Sequence, residues 1–451
     1  MMFKRKFYDL MLEWKANSNG KSAMMIDGAR RVGKSTIAEE FAKNEYRDYL
    51  IIDFAIANED VKALFRDDVG DMNTFFRNLF VLLGRKKMPE RQSLIILDEV
   101  QKYPLARQAI KYLVKDGRYD YVETGSLISI RKKSKEILIP SEEEKHKMFP
   151  MDFEEFLWAC GDDSSIDLIR DAFDNRRALG DRIHRAMLKK FRSYLAVGGM
   201  PQAVEAFVQG ETFDKIDRIK RNILDLYEED LRKNDEENTI HSSLIFNAIP
   251  QQLSNNNALF RLSKMSKNAR YTNYIKSIQM IDESMIGNYC RNISNPEITL
   301  ELYAQNERFK LFLGDTGLLV TQILRSSAQT DENLYRKILY GKLGSNFGMI
   351  YENMVAQMLR ANGYSLFFHQ FSFLRPGNKI ESRFDIDFLI VRNGHVCPIE
   401  VKSSDYRTHT SLDVFKQKYQ TRLVERYVIY TKDLKIDDGV FYLPIYMTVC
   451  L

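Results

Sequence analysis

The stretch GARRVGKST at 28–36, set between the apolar run AMMID and an amphipathic segment, constrains this chain more than any other feature. It fits G-x-x-x-x-G-K-[ST] at Gly28, Gly33, Lys34 and Ser35, with Thr36 next in line. Strand, glycine loop and helix follow in the order a phosphate cradle needs. Glycines let backbone N–H groups wrap phosphate oxygens at the positive end of a helix. In that geometry Lys34 reaches the terminal phosphates and the Ser35 hydroxyl ligates Mg2+. The loop therefore predicts a parallel α/β sheet with a nucleotide at its mouth.

The surrounding pattern agrees. From Ser22 to about Met151 the runs SAMMID, YLIIDF, SLIILDE, YDYVETGS and HKMFPM alternate with helical periods such as STIAEEFAKNEY and ARQAIKYLVKDG. Such alternation is the mark of a parallel sheet with crossover helices. In SLIILDEVQ four apolar residues lead into Asp98 and Glu99. A buried strand delivers its terminal carboxylate to the nucleotide site, so Asp98 is expected in the Mg2+ shell and Glu99 beside the attacking water. YDYVETGS ends in Thr124 and Ser126. In P-loop sheets with an additional strand between the glycine-loop strand and the acidic strand, a hydroxyl there senses the γ-phosphate; Thr124 is the first candidate and Ser126 the second. A plain strand-to-loop transition has the same appearance. Arg118 and Arg131 flank this strand as candidates for neutralising transition-state charge, with nothing to separate them from solvated arginines.

After MDFEEFLWACGDD the strand signals stop, and 152–290 reads as amphipathic helices. LIFNAIPQQLSNN, LSKMSKNAR and YTNYIKSIQMIDESMI, then a strand at ITLELY and FKLFLGDTGLL, have the pattern of three helices and a β-wing. A small helical bundle with a packed β-appendage fits the same pattern. KMSKNARYTNYIK gathers Lys264, Lys267, Arg270 and Lys276 with Tyr271 and Tyr274, which suits phosphate contacts and equally a solvated helical face. From about 342 the mixed pattern returns: a helix in GKLGSNFGMIYENMVAQMLRANG, strands at SLFFHQF, DIDFLIV and CPIEVK, a helix around SLDVFKQKY and a strand at RYVIYT. The expected domains are 1–151, 152–335 and 336–451.

A chain of 451 residues exceeds what one core of roughly 250–300 residues accommodates. Its net charge of +5 permits a nucleic-acid partner without arguing for one. Cys160, Cys290, Cys397 and Cys450 lie far apart with no Cys-x-x-Cys pair, which argues against a zinc site or disulfide framework and fits a reducing compartment. No apolar run approaches the ~20 residues that span a bilayer, and MMFKRKFYDLMLEW lacks a signal-peptide core. The expectation is a cytoplasmic protein without a membrane partner.

GARRVGKST, LIILDEVQ, ETGS, FPMDFEEFL, YLAVGGMPQAV, FKLFLGDTGLL and IDFLI…PIEVKSS occur in one order over almost the whole chain. This series resembles a family of bacterial and archaeal AAA-type ATPases that join a P-loop domain to a C-terminal region with a restriction-endonuclease-like fold. The resemblance implies an AAA-like ATPase core using ATP and Mg2+, a winged-helix-like middle, a nuclease-like α/β end and self-association. Relatives often carry Glu-Ile-Asp where this chain has Asp385-Ile386-Asp387.

Restriction-endonuclease-like sites place an acid on one strand, Glu-x-Lys on the next and often an acid on a preceding helix. Here these are Asp387, Glu400 with Lys402, and Glu352. Side chains two apart on a strand share a face, so Glu400 and Lys402 point together. The RNGH turn makes a hairpin that brings Asp387 near Glu400. The carboxylates are expected to hold a second divalent metal. Together these readings predict an ATP-hydrolysing, DNA-associated protein whose nucleotide state controls the winged-helix and nuclease-like module. The alternative is a nucleotide-gated switch or scaffold with a protein partner and an inactive nuclease-like domain.

Overall fold

Five strands, each parallel to its neighbours, form the sheet described in the N-terminal unit. The computed structural model describes residues 2–126, 140–234, 241–255, 259–265, 270–325, 330–344, 347–374, 380–403, 409–419 and 425–451. It divides into two compact units, Met1–Phe149 and Pro150–Leu451.

In the first unit α1 (Lys6–Ser18) precedes β1 (Ala23–Asp27), α2 (Lys34–Glu45), β2 (Asp48–Asp53), α3 (Glu59–Asp67) and α4 (Met72–Leu82). Then come β3 (Ser93–Asp98), α5 (Pro104–Asp116), β4 (Asp120–Gly125) and β5 (Glu143–Lys147). The strand order is β2-β3-β4-β1-β5, so β4 lies between the glycine-loop strand and the acidic strand, as expected from the sequence. Strands β1 and β4 are buried along their whole length, as strands covered on both faces must be. Ile26 pairs with Thr124 and Leu97 with Glu123, which brings the ends of β1, β3 and β4 level.

The fifth strand is EEKHK, not the apolar HKMFPM run that the sequence suggested. An edge strand is half solvated, so polarity does not disqualify it. Its Glu143 points inward against Arg107 of α5, at 2.6 Å from Nε and 2.7 Å from Nη2, with both side chains almost wholly buried (0 % and 1 % exposed). Glu123 of β4 joins them; burial and the Glu143 charge push its carboxyl well above the usual range.

The second unit begins with α6 (Phe153–Ala159), α7 (Ser164–Asp174), α8 (Asp181–Val197), α9 (Pro201–Val208), α10 (Phe213–Asn234), α11 (His241–Leu253) and α12 (Tyr271–Glu283). Next come β6 (Gly287–Ile293), β7 (Ala304–Leu313), α13 (Thr316–Ile323), α14 (Glu332–Leu339) and α15 (Gly348–Ala361). The chain ends with β8 (Leu366–Phe373), β9 (Ser382–Arg392), β10 (His395–Val401), α16 (Thr410–Tyr419), β11 (Arg426–Tyr430), β12 (Lys435–Asp437) and β13 (Val440–Pro444). Three of the recurring motifs are packing devices. FPMDFEEFL starts α6 with a capping box, in which Asp152 accepts from Glu155 N and Glu155 accepts from Asp152 N. The Asp315 carboxylate of GDTGLL caps α13 through Leu318 N at 2.9 Å and accepts from Gly199 N of VGGMPQ at 2.6 Å. Gly198 beside it has φ +84°, and a Cβ there would lie 2.3 Å from Asp315 Oδ1, so neither conformation nor space admits a side chain.

Eight strands form the second sheet in the order β12-β13-β11-β10-β9-β8-β6-β7. The hairpin β6–β7 joins it by parallel pairing of β6 with β8, so these strands extend the C-terminal sheet. ITLELY, expected as a strand, ends instead in a 3-10 turn at Leu300–Tyr303, and LSKMSKNAR yields only the 3-10 turn Leu262–Lys264 among its described residues. Lys267 lies outside the described residues. Phe371, Phe384, Ile386, Leu412, Phe415 and Val428 pack a core on one face of this sheet.

Arg107→Met should lower the stability of the N-terminal unit by about 3–5 kcal/mol in denaturant unfolding, because it leaves buried Glu143 with only the half-exposed Lys145 ammonium, 3.6 Å away, as a counter-charge. A loss below about 1 kcal/mol would show that the pair behaves as a solvated one.

Candidate functional site

The first site forms at the C-terminal edge of the parallel sheet. Gly28 follows β1 directly, and a Cβ on it would lie 2.5 Å from Met148 O, so the loop's close seat against the chain after β5 requires glycine. Gly33 precedes α2, and Lys34 opens that helix with only 6 % of its surface exposed. Its ammonium donates to Gly28 O at 2.8 Å and Ala29 O at 3.0 Å. Burial lowers the Lys34 pKa, against the opposing pull of Glu99, Asp27 and Asp98.

Three predicted residues meet on one oxygen. Ser35 Oγ donates to Asp98 Oδ1 at 2.8 Å, and the Thr124 hydroxyl donates to the same oxygen. Thr124 Oγ1 also accepts from Glu99 N at 3.3 Å. Glu99 takes a left-handed conformation at φ 56°, and Gln101 Nε2 donates to its carboxylate at 2.6 Å. Gln101, which sequence reasoning passed over, is buried and also accepts from Ser126 N at 3.4 Å. Ser126 is thus held by the Glu99 support, while Thr124 faces the acid. Thr36 is exposed in the first turn of α2. Arg118 makes a bidentate pair with Asp116 at 2.7 and 2.8 Å before β4 begins, at the end of that strand away from Thr124. Arg131 lies outside the described residues.

The arrangement fits a nucleotide with Mg2+. An ammonium lies on backbone carbonyls at the start of a helix, and a hydroxyl and a carboxylate adjoin at hydrogen-bonding distance. Ser35 and Asp98 would hold the ion, and Lys34 the terminal phosphates.

The second predicted set also comes together, in the C-terminal unit, around a residue the sequence did not flag. Lys310 of β7 is 3 % exposed, and its Nζ lies 3.5 Å from Asp387 Oδ1 and 3.7 Å from Glu352 Oε2. Burial opposes its charge, but Glu352 and Asp387 prevail and raise its pKa. Asp387 Oδ2 accepts from Val401 N at 2.9 Å. Glu400 lies 2.6 Å from Lys402 Nζ, and burial lifts its pKa to about 7 against the pull of Lys402. Burial likewise raises Glu352, with Lys310 opposing.

Lys310 and Lys402 balance the carboxylates of this set, and the second divalent metal expected there finds no support. Glu352 and Asp387 already share the Lys310 ammonium, and Glu400 is paired with Lys402. Among the described residues no group of three or more His, Cys, Asp or Glu side chains is placed to hold a metal ion. Lys310 escaped notice because FKLFL reads as an ordinary strand, and only strand order places it near Asp387.

Comparison with known proteins gives the class. Residues 20–157 match a family model described as an AAA domain; 188–329 and 347–447 match two models described as domains of unknown function. The segment that carries the first site is an AAA-type P-loop domain. Among solved structures, a Walker-type ATPase of Pyrococcus abyssi aligns with 71 % of this chain and 96 % of its own at 14 % identity and a TM-score of 0.40. A protein from Vibrio cholerae aligns with 91 % of this chain and 89 % of its own at 11 % identity and a TM-score of 0.15. No curated protein matches the chain. Among the described residues no helix is long and apolar enough to cross a membrane.

Lys310→Met, which leaves Glu352 and Asp387 without their cation, should cost about 3–5 kcal/mol above neutral pH. Millimolar Mn2+ should restore part of its melting temperature and leave the wild type unmoved in nucleotide-free thermal melts. A wild type stabilised by Mn2+ to the same extent would contradict the internal-cation reading. Glu400 adds a pH dependence. Its folded pKa of about 7 lies above the ordinary 4.5, so its stabilisation is full below 4.5 and disappears as pH rises through 7. Glu400→Gln should flatten that fall; an unchanged slope between roughly pH 5 and 8 would assign it to other groups.

Proposed function

We propose that this chain binds and hydrolyses Mg-ATP in its N-terminal unit and associates with DNA through its C-terminal unit. The convergence of Ser35 and Thr124 on one Asp98 oxygen, with Glu99 alongside, carries the ATPase reading. Bound Mg2+ supplies charge neutralisation on phosphate oxygens. Gly28, Gly33 and Lys34 orient the phosphates, with Thr36 beside them in the first helical turn. Asp98 holds the Ser35 hydroxyl in place. Glu99, fixed by Gln101, accepts a hydrogen bond from the attacking water and directs it. Thr124 couples the acid to the γ-phosphate position. Arg118 is committed to Asp116, which leaves transition-state neutralisation to Arg131 or to a neighbouring copy of the chain.

The C-terminal unit is read as a nuclease-like platform that binds without cutting. Support comes from the order of α15, three antiparallel strands, α16 and a parallel strand. Glu352 lies on the helix, Asp387 on the middle strand and Glu400 on the third, with Lys310 among them in place of a metal.

Lys34→Ala should reduce steady-state ATP turnover by about 100-fold or more, whereas Glu99→Gln should keep nucleotide affinity and lose turnover to a similar extent. Lost binding in Glu99→Gln would make that residue structural, and full turnover in Lys34→Ala would overturn the site. Hydrolysis compared with and without single-stranded, duplex and branched DNA tests the partner: stimulation by one form supports it, and indifference to all of them moves the reading to a protein-partnered switch.

A further inference from the structure

Next to the Lys310 cluster the C-terminal sheet carries a cavity of ≈ 330 Å³ whose lining includes Arg261, Arg308, Gln370, Ser372, Arg383 and Asp385. The strand register explains the convergence. Gln370 pairs with Asp385 and Ser372 with Arg383, so these four share a face. Arg383, Asp385 and Asp387 alternate along β9, and Arg308 and Lys310 along β7, with about 7 Å between successive members on one face. The polar face that holds the Lys310 cluster therefore continues into the cavity.

Each arginine comes from a separate segment: Arg308 from β7, Arg383 from β9 and Arg261 from the chain before the Leu262–Lys264 turn. Arg308 Nη2 donates to Gln370 Oε1 at 2.6 Å, which spans β6 and steadies that guanidinium. The Arg261 backbone is clamped by the buried Gln252 amide, which accepts from Arg261 N at 3.1 Å and donates to Arg261 O at 3.5 Å. None of the three guanidinium groups forms an ion pair among the described residues, and all three residues are exposed. Lys418 extends the positive rim: its Nζ donates to Ser372 O at 3.0 Å and lies 5.5 Å from the Phe371 ring centroid.

We propose that this pocket holds a phosphodiester of a nucleic-acid strand, an inference that rests on the DNA reading above. Three guanidinium groups free of ion pairs around one cavity are phosphate-binding chemistry, since each offers a planar fork of donors. Asp385 selects the kind of phosphate. Its carboxylate repels the second charge of a phosphomonoester but tolerates the single charge of a diester. The Lys418 rim extends the positive surface beyond one phosphate, as a polyanion requires.

Fluorescence anisotropy of a labelled DNA 20-mer, titrated with the full-length chain without nucleotide at several salt concentrations, tests the proposal. Arg308→Gln with Arg383→Gln should weaken binding about tenfold or more at low salt and reduce the salt slope by about two. Asp385→Asn should act oppositely, tightening strand binding and letting phenyl phosphate compete, which keeps the test decisive if the double variant melts early. Wild-type binding that neither variant alters would overturn the pocket and leave the DNA reading standing. A wild type that binds no nucleic acid would overturn both. Inorganic phosphate that displaces the strand as well as unlabelled DNA does would assign the pocket to a free anion and overturn the strand as its occupant.

Discussion

The carboxylate of Asp98 organises the N-terminal unit. One of its oxygens receives the hydroxyls of Ser35, from the helix after the glycine loop, and Thr124, from the neighbouring strand. Three segments far apart in sequence thus meet on one atom. They meet there because all strands of this sheet run the same way, so their C-terminal ends open on a single edge. Lys34 depends on the same setting. Its buried ammonium is tolerable only near Glu99, Asp27 and Asp98, and its two carbonyl acceptors are a weak match for a full positive charge.

The C-terminal unit faces the converse problem and answers it internally. Glu352, Asp387 and Glu400 are carboxylates brought into a poorly solvated corner of a mixed sheet, where isolated charge is costly. Lys310 and Lys402 supply the compensation from within the chain. The carboxylates that suggested a metal centre in one dimension thus share two ammonium groups in three. On the same face the charge then changes sign: beyond Asp385 the arginines outnumber the acids, and none of the three forms an ion pair among the described residues.

Much of the first site was legible because each contributor lies in a short local pattern. The loop spacing names Gly28, Gly33, Lys34 and Ser35, and a buried run that ends in Asp98-Glu99 has few other uses in such a sheet. Gln101 was not legible, since a glutamine two residues past an acid has no pattern of its own. The edge strand Glu143–Lys147 was hidden for a related reason: half-exposed strands do not need apolar residues, so periodicity gives no signal. Motifs such as GDTGLL and VGGMPQ stood out clearly in the sequence, yet their role is the Asp315 cap and its glycine neighbours.

By itself the sequence determined the parallel α/β unit, its phosphate loop, the acid that follows the third strand and the carboxylates of the C-terminal hairpin. Each is read from short local patterns, the α/β unit from several in succession, and backbone geometry over such stretches is set by local sterics and side-chain period. Tertiary structure alone decided what those carboxylates face. Lys310 lies 42 residues from Glu352 and 77 from Asp387, by subtraction of their numbers. Only the pairing of β6 with both β7 and β8 carries it to them. Strand order is a property of the whole sheet, and it placed the Lys310 ammonium among those carboxylates, beside an open arginine pocket.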